Sequence, residues 1–145
     1  MPTRTARTAW DGGLMDGTGQ VELSSSGVGT YEVSFPRRTA DDAQGVTSPE
    51  ELIAAAHSAC YAMQLSAGIA DAGGTPHSLD VRADVSLGPD TQGFRITGIH
   101  LTVRGEVENL DADGFAKAAQ AAKDGCPVSK ALTGTTITLD AALVG

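Results

Sequence analysis

Two cysteines, Cys60 and Cys126, are the residues of this 145-residue chain best suited to covalent chemistry. A thiolate is a nucleophile that can be oxidised reversibly, so two cysteines can form a catalytic disulfide. Pro127 favours the start of a helix, which puts Cys126 at the N-cap, where free N–H groups and the helix dipole favour a thiolate. Cys60 lies in an apolar stretch, and a small residue of the core is the alternative interpretation of this cysteine.

Charged side chains that could lower the pKa of a thiol, or hold a group that does, precede the first cysteine in the sequence. Glu51 is explained as the capping-box partner of Ser48, whereas Glu50 has no such structural role. Arg37 and Arg38 form the only adjacent pair of basic residues in the chain. One interpretation is that both arginines lie in a loop with their side chains in solvent. The functional one is that a guanidinium enters the site, lowers the pKa of a thiol and is held by Glu50.

The histidines and glycines give weaker signals. His57 precedes Cys60 by three residues, so a Cys–His nucleophile pair is conceivable, although a histidine satisfied within the core is favoured. His57, His77 and His100 have no recognisable metal-ligand spacing. The glycine-rich residues 11–19 lack the Gly-Lys-Ser/Thr of a phosphate-binding loop and are interpreted as turns.

Composition excludes several classes of protein. The chain is 41% hydrophobic and 19% charged, typical of one globular domain over residues 1–145. A net charge of −8 argues against nucleic-acid and anionic-membrane partners. Two cysteines are too few for a disulfide scaffold. With no signal peptide or membrane span expected, the sequence predicts a cytoplasmic protein.

The first half of the chain predicts strands followed by a long helix. Alternating residues indicate strands over 20–25 and 30–35, followed by a polar loop over 37–45. Ser48 and Pro49 predict the start of a helix that ends near Ala72, before two glycines. Because this helix is apolar on nearly all sides, we expect it to be buried all round, by a sheet or by a second subunit.

The second half predicts a hairpin, two helices and a last strand, which makes the fold class α+β. The apolar alternation changes phase within the second long strand, and a bulge at Gly98 would reconcile the two parts. Asp111 is expected to cap a helix that ends at Gly125, with Leu110 and Phe115 as a hydrophobic staple. The last strand begins near Ile137.

Two motifs resemble those of one known family. Residues 47–60 read TSPEELIAAAHSAC, and residues 125–129 read GCPVS. Together, at this separation, they are similar to the OsmC/Ohr family of thiol-dependent peroxidases, and to its OsmC branch in particular. The similarity extends over nearly the whole chain.

The resemblance implies an OsmC-like fold: an intertwined homodimer whose long central helices are wrapped by antiparallel sheets. It implies that Cys60 is the peroxidatic cysteine and Cys126 the resolving one. The family's glutamate falls on Glu50. Its arginine falls on Arg38, although Arg37 stays open because the intervening loop is longer here.

The resemblance also implies the substrate and the reductant. Because the helix that carries Cys60 is apolar and would accommodate an alkyl group, organic hydroperoxides are expected to be preferred over hydrogen peroxide. The resemblance implies that no metal, haem or flavin is needed as cofactor. An external dithiol, of the lipoyl type in this family, would reduce the disulfide again. Two alternative functions would use the same fold without peroxidase turnover. One is a ligand-binding dimer, whose cysteines should stay apart. The other is a redox sensor that passes its disulfide to a partner.

Overall fold

The computed structural model describes residues 1–144, which form two compact units, Met1–Leu52 and the chain from Ile53 onward. The elements in chain order are β1 (Arg7–Asp11), β2 (Thr18–Glu22), β3 (Thr30–Val33), α1 (Phe35–Arg38), α2 (Pro49–Asp71), β4 (Thr75–Asp90), β5 (Gly93–Glu108), α3 (Ala112–Gly125), α4 (Pro127–Ala131) and β6 (Ile137–Leu143). This order confirms the α+β class. That residues 1–145 act as one domain stays a prediction.

The first unit contains an antiparallel sheet in the order β1-β2-β3. The glycine-rich residues between β1 and β2 form the turn of a hairpin, as predicted. Trp10 lies inside β1, next to this turn. The second strand begins two residues earlier than predicted and ends at Glu22, because the hairpin register pairs Thr18 with Asp11.

One turn of helix replaces part of the predicted strand and loop. The strand predicted to reach Phe35 ends at Val33, and α1 follows. Ser34 caps this turn, since its hydroxyl accepts a hydrogen bond from the N–H of Arg37 at 3.3 Å. Pro36 suits the first turn of a helix, where no N–H is needed. The turn makes Arg38 the last residue of α1.

The long helix α2 begins at Pro49, as predicted. The hydroxyl of Ser48 accepts a hydrogen bond from the N–H of Glu51 at 3.1 Å. The carboxylate of Glu51, however, accepts from the hydroxyl of Thr47 at 2.5 Å. Only one of the two capping-box hydrogen bonds is therefore formed. The carboxylate of Glu51 was expected to accept from the backbone N–H of Ser48, but it accepts from Thr47 instead.

The end of α2 also lies where the sequence predicts it. Gly73 has a φ of +90°, a conformation that favours glycine. The N–H groups of Gly73 and Gly74 donate to carbonyls of the last helical turn at 3.0 and 2.9 Å. This is the Schellman pattern, and it turns the chain directly into β4.

The second unit contains a sheet in the order β4-β5-β6. β4 and β5 form a long antiparallel hairpin, whose register shifts where Ser86 pairs with Gly98 and Leu87 with Ile96. The bulge predicted at Gly98 is therefore confirmed. The β5–β6 pair is parallel, so the sheet is mixed and not wholly antiparallel as expected. Two helices, α3 and α4, supply the crossover that a parallel pair needs.

The core of the second unit lies between one face of α2, the sheet and α3. Asp111 caps α3 as predicted, with its carboxylate accepting from the N–H of Gly114 at 2.8 Å. The buried core side chains are Tyr61, Leu65 and Ile69 of α2, Ile99, Leu101 and Val103 of β5, and Phe115, Ala118, Ala119 and Ala122 of α3.

The opposite face of α2 is exposed in the single chain. Ala55, Ala59, Met63 and Ala67 follow one another at helical spacing along this stripe, and Met63 is 73% exposed. The expectation that the helix is buried all round is wrong for one chain, because the sheet and α3 cover only one side of it. The exposed apolar stripe remains available to a second partner.

Helix α2 is also the one helix within residues 1–144 that is long and apolar enough to cross a membrane. It has 23 residues and a mean hydropathy of 1.2 in its most apolar window. A core helix meets the same criteria of length and composition. The single chain buries 22% of this window, and Tyr61, Leu65 and Ile69 of the helix lie in the core beside β5 and α3.

Candidate active site

The two cysteines lie side by side in the second unit. Cys60 is near the middle of α2, and Cys126 is the N-cap of α4, as predicted. Their Sγ atoms are 2.9 Å apart, and both thiols are free. Cys126 is fully buried, whereas Cys60 is partly exposed. A peroxide can therefore reach Cys60 more readily than Cys126, and a small movement would suffice to join the two sulfur atoms.

The surroundings of the two sulfur atoms favour different protonation states. Burial raises the pKa of Cys60, and its hydrogen bond with Cys126 raises that pKa further. Burial also opposes ionisation of Cys126, but the neighbouring thiol of Cys60 and the nearby N–H groups of Ser129 and Val128 lower the pKa of Cys126. Within one chain, the first turn of α4 thus favours a thiolate on Cys126.

Arg38 and Glu50 form a bidentate ion pair in the first unit. The Nε of Arg38 lies 2.9 Å from Oε1 of Glu50, and its Nη2 lies 2.9 Å from Oε2. Glu50 is 7% exposed, and its hydrogen bonds to Arg38 raise the pKa of the guanidinium. Arg37 instead donates to the backbone carbonyl of Asp42 at 3.2 Å. The glutamate without a capping role is thus held by Arg38 and not by Arg37.

The four predicted site residues therefore occur as two pairs. Cys60 contacts Cys126, and Arg38 contacts Glu50. Glu50 and Cys60 are ten residues apart on α2, a rise of about 15 Å along the helix axis. That rise is too long for the carboxylate of Glu50 to reach the sulfur of Cys60 along their shared helix.

A polar contact next to the cysteines was not predicted. His57 is 0% exposed, and its Nε2 lies 2.7 Å from the hydroxyl of Ser129, which is also buried. His57 is a buried core residue, as favoured, but only its Nε2 has a hydrogen-bond partner, which is Ser129 rather than Cys60. No pattern in the sequence joins two residues 72 positions apart; only the capping of α4 by Cys126 indicates that Ser129 lies in the first turn of that helix.

The histidines do not come together as metal ligands. His77 lies 3.0 Å from the carboxylate of Glu108, and His100 contacts the hydroxyl of Thr138 at 2.6 Å. Across residues 1–144, no group of three or more His, Cys, Asp or Glu side chains is arranged to hold a metal ion.

An apolar cavity adjoins Arg38 in the first unit. It has a volume of about 230 Å³. Its lining residues are Trp10, Leu14, Val33, Ser34, Phe35, Arg38 and Pro49. Most of this lining is hydrocarbon or aromatic, and the guanidinium supplies its charge. The cavity can accept an apolar group beside a positively charged one.

Comparison with known proteins gives consistent results. The sequence profile of the OsmC family, described as OsmC-like protein, matches residues 41–140. The chain is 43% identical over 131 residues to the Peroxiredoxin OsmC of Escherichia coli, covering 90% of both chains.

Solved structures show the same fold. The organic hydroperoxide resistance protein OhrB of Bacillus subtilis superposes with a TM-score of 0.74 at 28% identity, covering 95% of this chain and 98% of the other. An organic hydroperoxide resistance protein from Elizabethkingia anophelis gives a TM-score of 0.80 at 26% identity, covering 99% and 98%. On its sequence motifs, its paired cysteines and its fold, the chain belongs to the OsmC family.

Proposed function

We propose that this protein is a thiol-dependent peroxidase that reduces organic hydroperoxides to alcohols and hydrogen peroxide more slowly. The observation that carries the proposal is the 2.9 Å separation of the sulfur atoms of Cys60 and Cys126. It counts against a ligand-binding dimer whose cysteines stay apart. The 43% identity to a relative named a peroxiredoxin supports a redox function that involves peroxide.

In the proposed reaction, the thiolate of Cys60 attacks the distal oxygen of the hydroperoxide. The O–O bond breaks, the alkoxide takes a proton to leave as the alcohol, and Cys60 becomes a sulfenic acid. Cys126 then attacks the sulfur of Cys60, the S–O bond breaks, and hydroxide leaves as water. The partial exposure of Cys60 and the full burial of Cys126 support this division of roles.

An external dithiol would complete the cycle by reducing the Cys60–Cys126 disulfide. The two electrons that reduce each peroxide then come from that dithiol, and the lipoyl type is the one we propose. The chemistry of two thiols is sufficient for this cycle, so the proposal includes no metal, haem or flavin.

The apolar cavity beside Arg38 supports a preference for organic substrates. Trp10, Leu14 and Phe35 would contact the alkyl or aryl group, while the guanidinium would stabilise the thiolate and the developing alkoxide. Hydrogen peroxide has no apolar group to occupy such a cavity. Its reduction would gain nothing from these contacts.

We propose further that the protein acts as a homodimer in which the Arg38–Glu50 pair of one chain serves Cys60 of the other. The exposed stripe of Ala55, Ala59, Met63 and Ala67 on α2 offers an apolar surface for a second copy of the helix. The rise of about 15 Å between Glu50 and Cys60 supports a site assembled across two chains.

Steady-state turnover tests the proposed activity. The reduced protein is given cumene hydroperoxide or hydrogen peroxide with dihydrolipoamide as reductant. We expect catalytic loss of both, with the organic peroxide consumed at least about tenfold faster, as burial of one aromatic group allows. Replacing Trp10 by Ala should reduce this preference and leave hydrogen peroxide turnover nearly unchanged. No consumption of either substrate by folded, reduced protein would contradict the proposal.

Subunit complementation tests the site assembled across two chains. Cys60→Ser and Arg38→Ala homodimers each lack one part of every site, so we expect little activity from either. Unfolding and refolding an equal mixture should restore about a quarter of the wild-type activity, because half of the dimers then hold one intact site of two. A mixture that stays as inactive as its components would contradict the arrangement. Mixing Cys60→Ser with Arg37→Ala is the matched control, since the latter variant retains Arg38.

A further inference from the structure

The contact between His57 and Ser129 joins two buried polar side chains next to the resolving cysteine. His57 is 0% exposed and Ser129 4% exposed, and their Nε2 and Oγ atoms are 2.7 Å apart. His57 lies on α2 one turn before Cys60, and Ser129 lies in the first turn of α4, which Cys126 caps. The pair thus connects the same two helices that carry the cysteines.

The surroundings of His57 determine which ring nitrogen carries the proton. Nδ1 is buried and has no hydrogen-bond partner among the described residues. A buried N–H without a partner is costlier than a bare nitrogen lone pair, so Nδ1 is the unprotonated atom. Burial also lowers the pKa of His57, which keeps the ring neutral. The single ring proton is therefore on Nε2, and Nε2–H donates to the hydroxyl of Ser129.

This tautomer determines the direction of the Ser129 hydroxyl. A hydroxyl has one proton to donate, and its oxygen accepts from His57, so the proton is free for another acceptor. Cys126 caps the same helical turn, so its sulfur is the candidate acceptor. The side chain of Ser129 also contributes to the lowered pKa of Cys126. With the opposite tautomer, the hydroxyl would donate to His57 and could not donate to Cys126.

We propose that His57 and Ser129 are positioning residues that hold Cys126 ready to attack the oxidised Cys60, and so set the rate of disulfide formation. The inference rests on the proposed function, in which Cys126 resolves the sulfenic acid of Cys60. In that step the S–S bond forms, the S–O bond breaks, and the leaving hydroxide takes up one proton. The ionisation of Cys126 releases one proton, so the step is balanced overall.

The arrangement separates the two chemical steps. Ser129 contacts His57 and lies in the helical turn that Cys126 caps, and Cys126 is the attacking group only in the second step. Loss of the Ser129 hydroxyl should therefore slow disulfide formation and leave the first oxidation of Cys60 unchanged. A general loosening of the fold would change both steps together.

Rapid-quench mass spectrometry with one equivalent of cumene hydroperoxide measures both steps. Dimedone traps the sulfenic acid of Cys60, and alkylation of the remaining thiols reports the disulfide. In Ser129→Ala, we expect sulfenic acid formation at the wild-type rate and disulfide formation about tenfold slower, as for loss of one hydrogen bond to a charged group. Ser129→Thr retains the hydroxyl and should restore the second step. Ser58→Ala is the matched control, since Ser58 donates to the carbonyl of Ala55 on its own helix.

His57 gives a second, independent pair of variants. His57→Gln can still present an amide N–H close to the position of Nε2, and it should form the disulfide faster than His57→Phe, which has no donor. An unchanged second step in Ser129→Ala, or an equal slowing of both steps, would overturn the inference. So would equal rates in the two His57 variants.

A readout that needs no peroxide separates this inference from the proposed function. In a Cys60→Ser background, the ultraviolet absorbance of the thiolate reports the ionisation of Cys126. The groups that act on that sulfur are then the first turn of α4, the introduced serine and the Tyr61 hydroxyl. Burial raises the pKa of Tyr61, and the Cys126 charge raises it further. We expect Ser129→Ala to raise the pKa of Cys126, and an unchanged titration would overturn the inference. Absence of both sulfenic acid and disulfide in the wild-type protein after peroxide is added would instead refute the proposed function.

Discussion

Replacing Cys60 by serine should lower the rate of peroxide consumption about a thousandfold or more, because Cys60 is the proposed nucleophile. A serine hydroxyl has nearly the same volume but ionises far less readily than a thiol, and it cannot form a sulfenic acid. The remaining thiol, Cys126, is fully buried, so peroxide should not reach it at a comparable rate. The rate of cumene hydroperoxide loss with dihydrolipoamide measures the effect.

The loss must come from chemistry and not from unfolding. Urea unfolding of Cys60→Ser should give a midpoint close to that of the wild type, since the substitution preserves volume at a partly exposed position. Substantial turnover by a folded Cys60→Ser protein would show that another group reacts with peroxide. Cys126 would then be the first candidate, because its surroundings lower its pKa.

Replacing Cys126 by serine has a different expected result: one fast oxidation and then loss of turnover. Cys60 should still attack the first peroxide, but its sulfenic acid has no neighbouring thiol with which to condense. It should then be oxidised to the sulfinic acid or form mixed disulfides. We expect sustained turnover with dihydrolipoamide to fall by about a hundredfold, as for loss of a catalytic group that acts in one step.

Intact-mass measurement distinguishes the two cysteine variants. After repeated additions of cumene hydroperoxide, Cys126→Ser should gain two oxygen atoms on Cys60, while Cys60→Ser should stay unmodified. The wild-type protein should instead lose two hydrogen atoms through its disulfide. Sustained turnover by Cys126→Ser at the wild-type rate would mean that the external dithiol reduces the sulfenic acid directly, and that Cys126 has no resolving role.

Local sequence signals predicted the elements whose ends are controlled by short-range interactions. The N-cap of α2 at Ser48 and that of α3 at Asp111 follow from side-chain hydrogen bonds within three residues. The C-terminus of α2 follows from a glycine with positive φ. The bulge beside Gly98 was recognisable because apolar alternation changes phase there.

Features that depend on distant contacts were not predicted. The parallel pairing of β6 with β5 is decided by the crossover through α3 and α4, which leaves no mark in the alternation of β6 itself. The burial of α2 on one side only was not predicted either. Its sequence is apolar on every side, so it does not indicate which side packs against the rest of the same chain. The one-turn α1 is too short to have a periodic pattern.

The site was predictable to the extent that its residues had no other role. Glu50 was predicted as a site residue because Glu51 had been assigned to the helix cap and Glu50 had no structural role. In the structure, Glu50 forms an ion pair with Arg38. The sequence left Arg37 open, since the two arginines are adjacent and only the geometry of α1 separates them. The His57–Ser129 contact could not be found, because a hydrogen bond between residues 72 apart depends on tertiary structure alone.

A single-turnover experiment tests directly whether Cys60 and Cys126 together reduce a hydroperoxide. Fully reduced protein is mixed with one equivalent of cumene hydroperoxide without any reductant, and the alcohol and the free thiols are counted. We expect one cumyl alcohol per chain, loss of both thiols, and a disulfide that joins the peptides carrying Cys60 and Cys126. Two titratable thiols beside unreacted peroxide would contradict it, and so would alcohol formation without that disulfide.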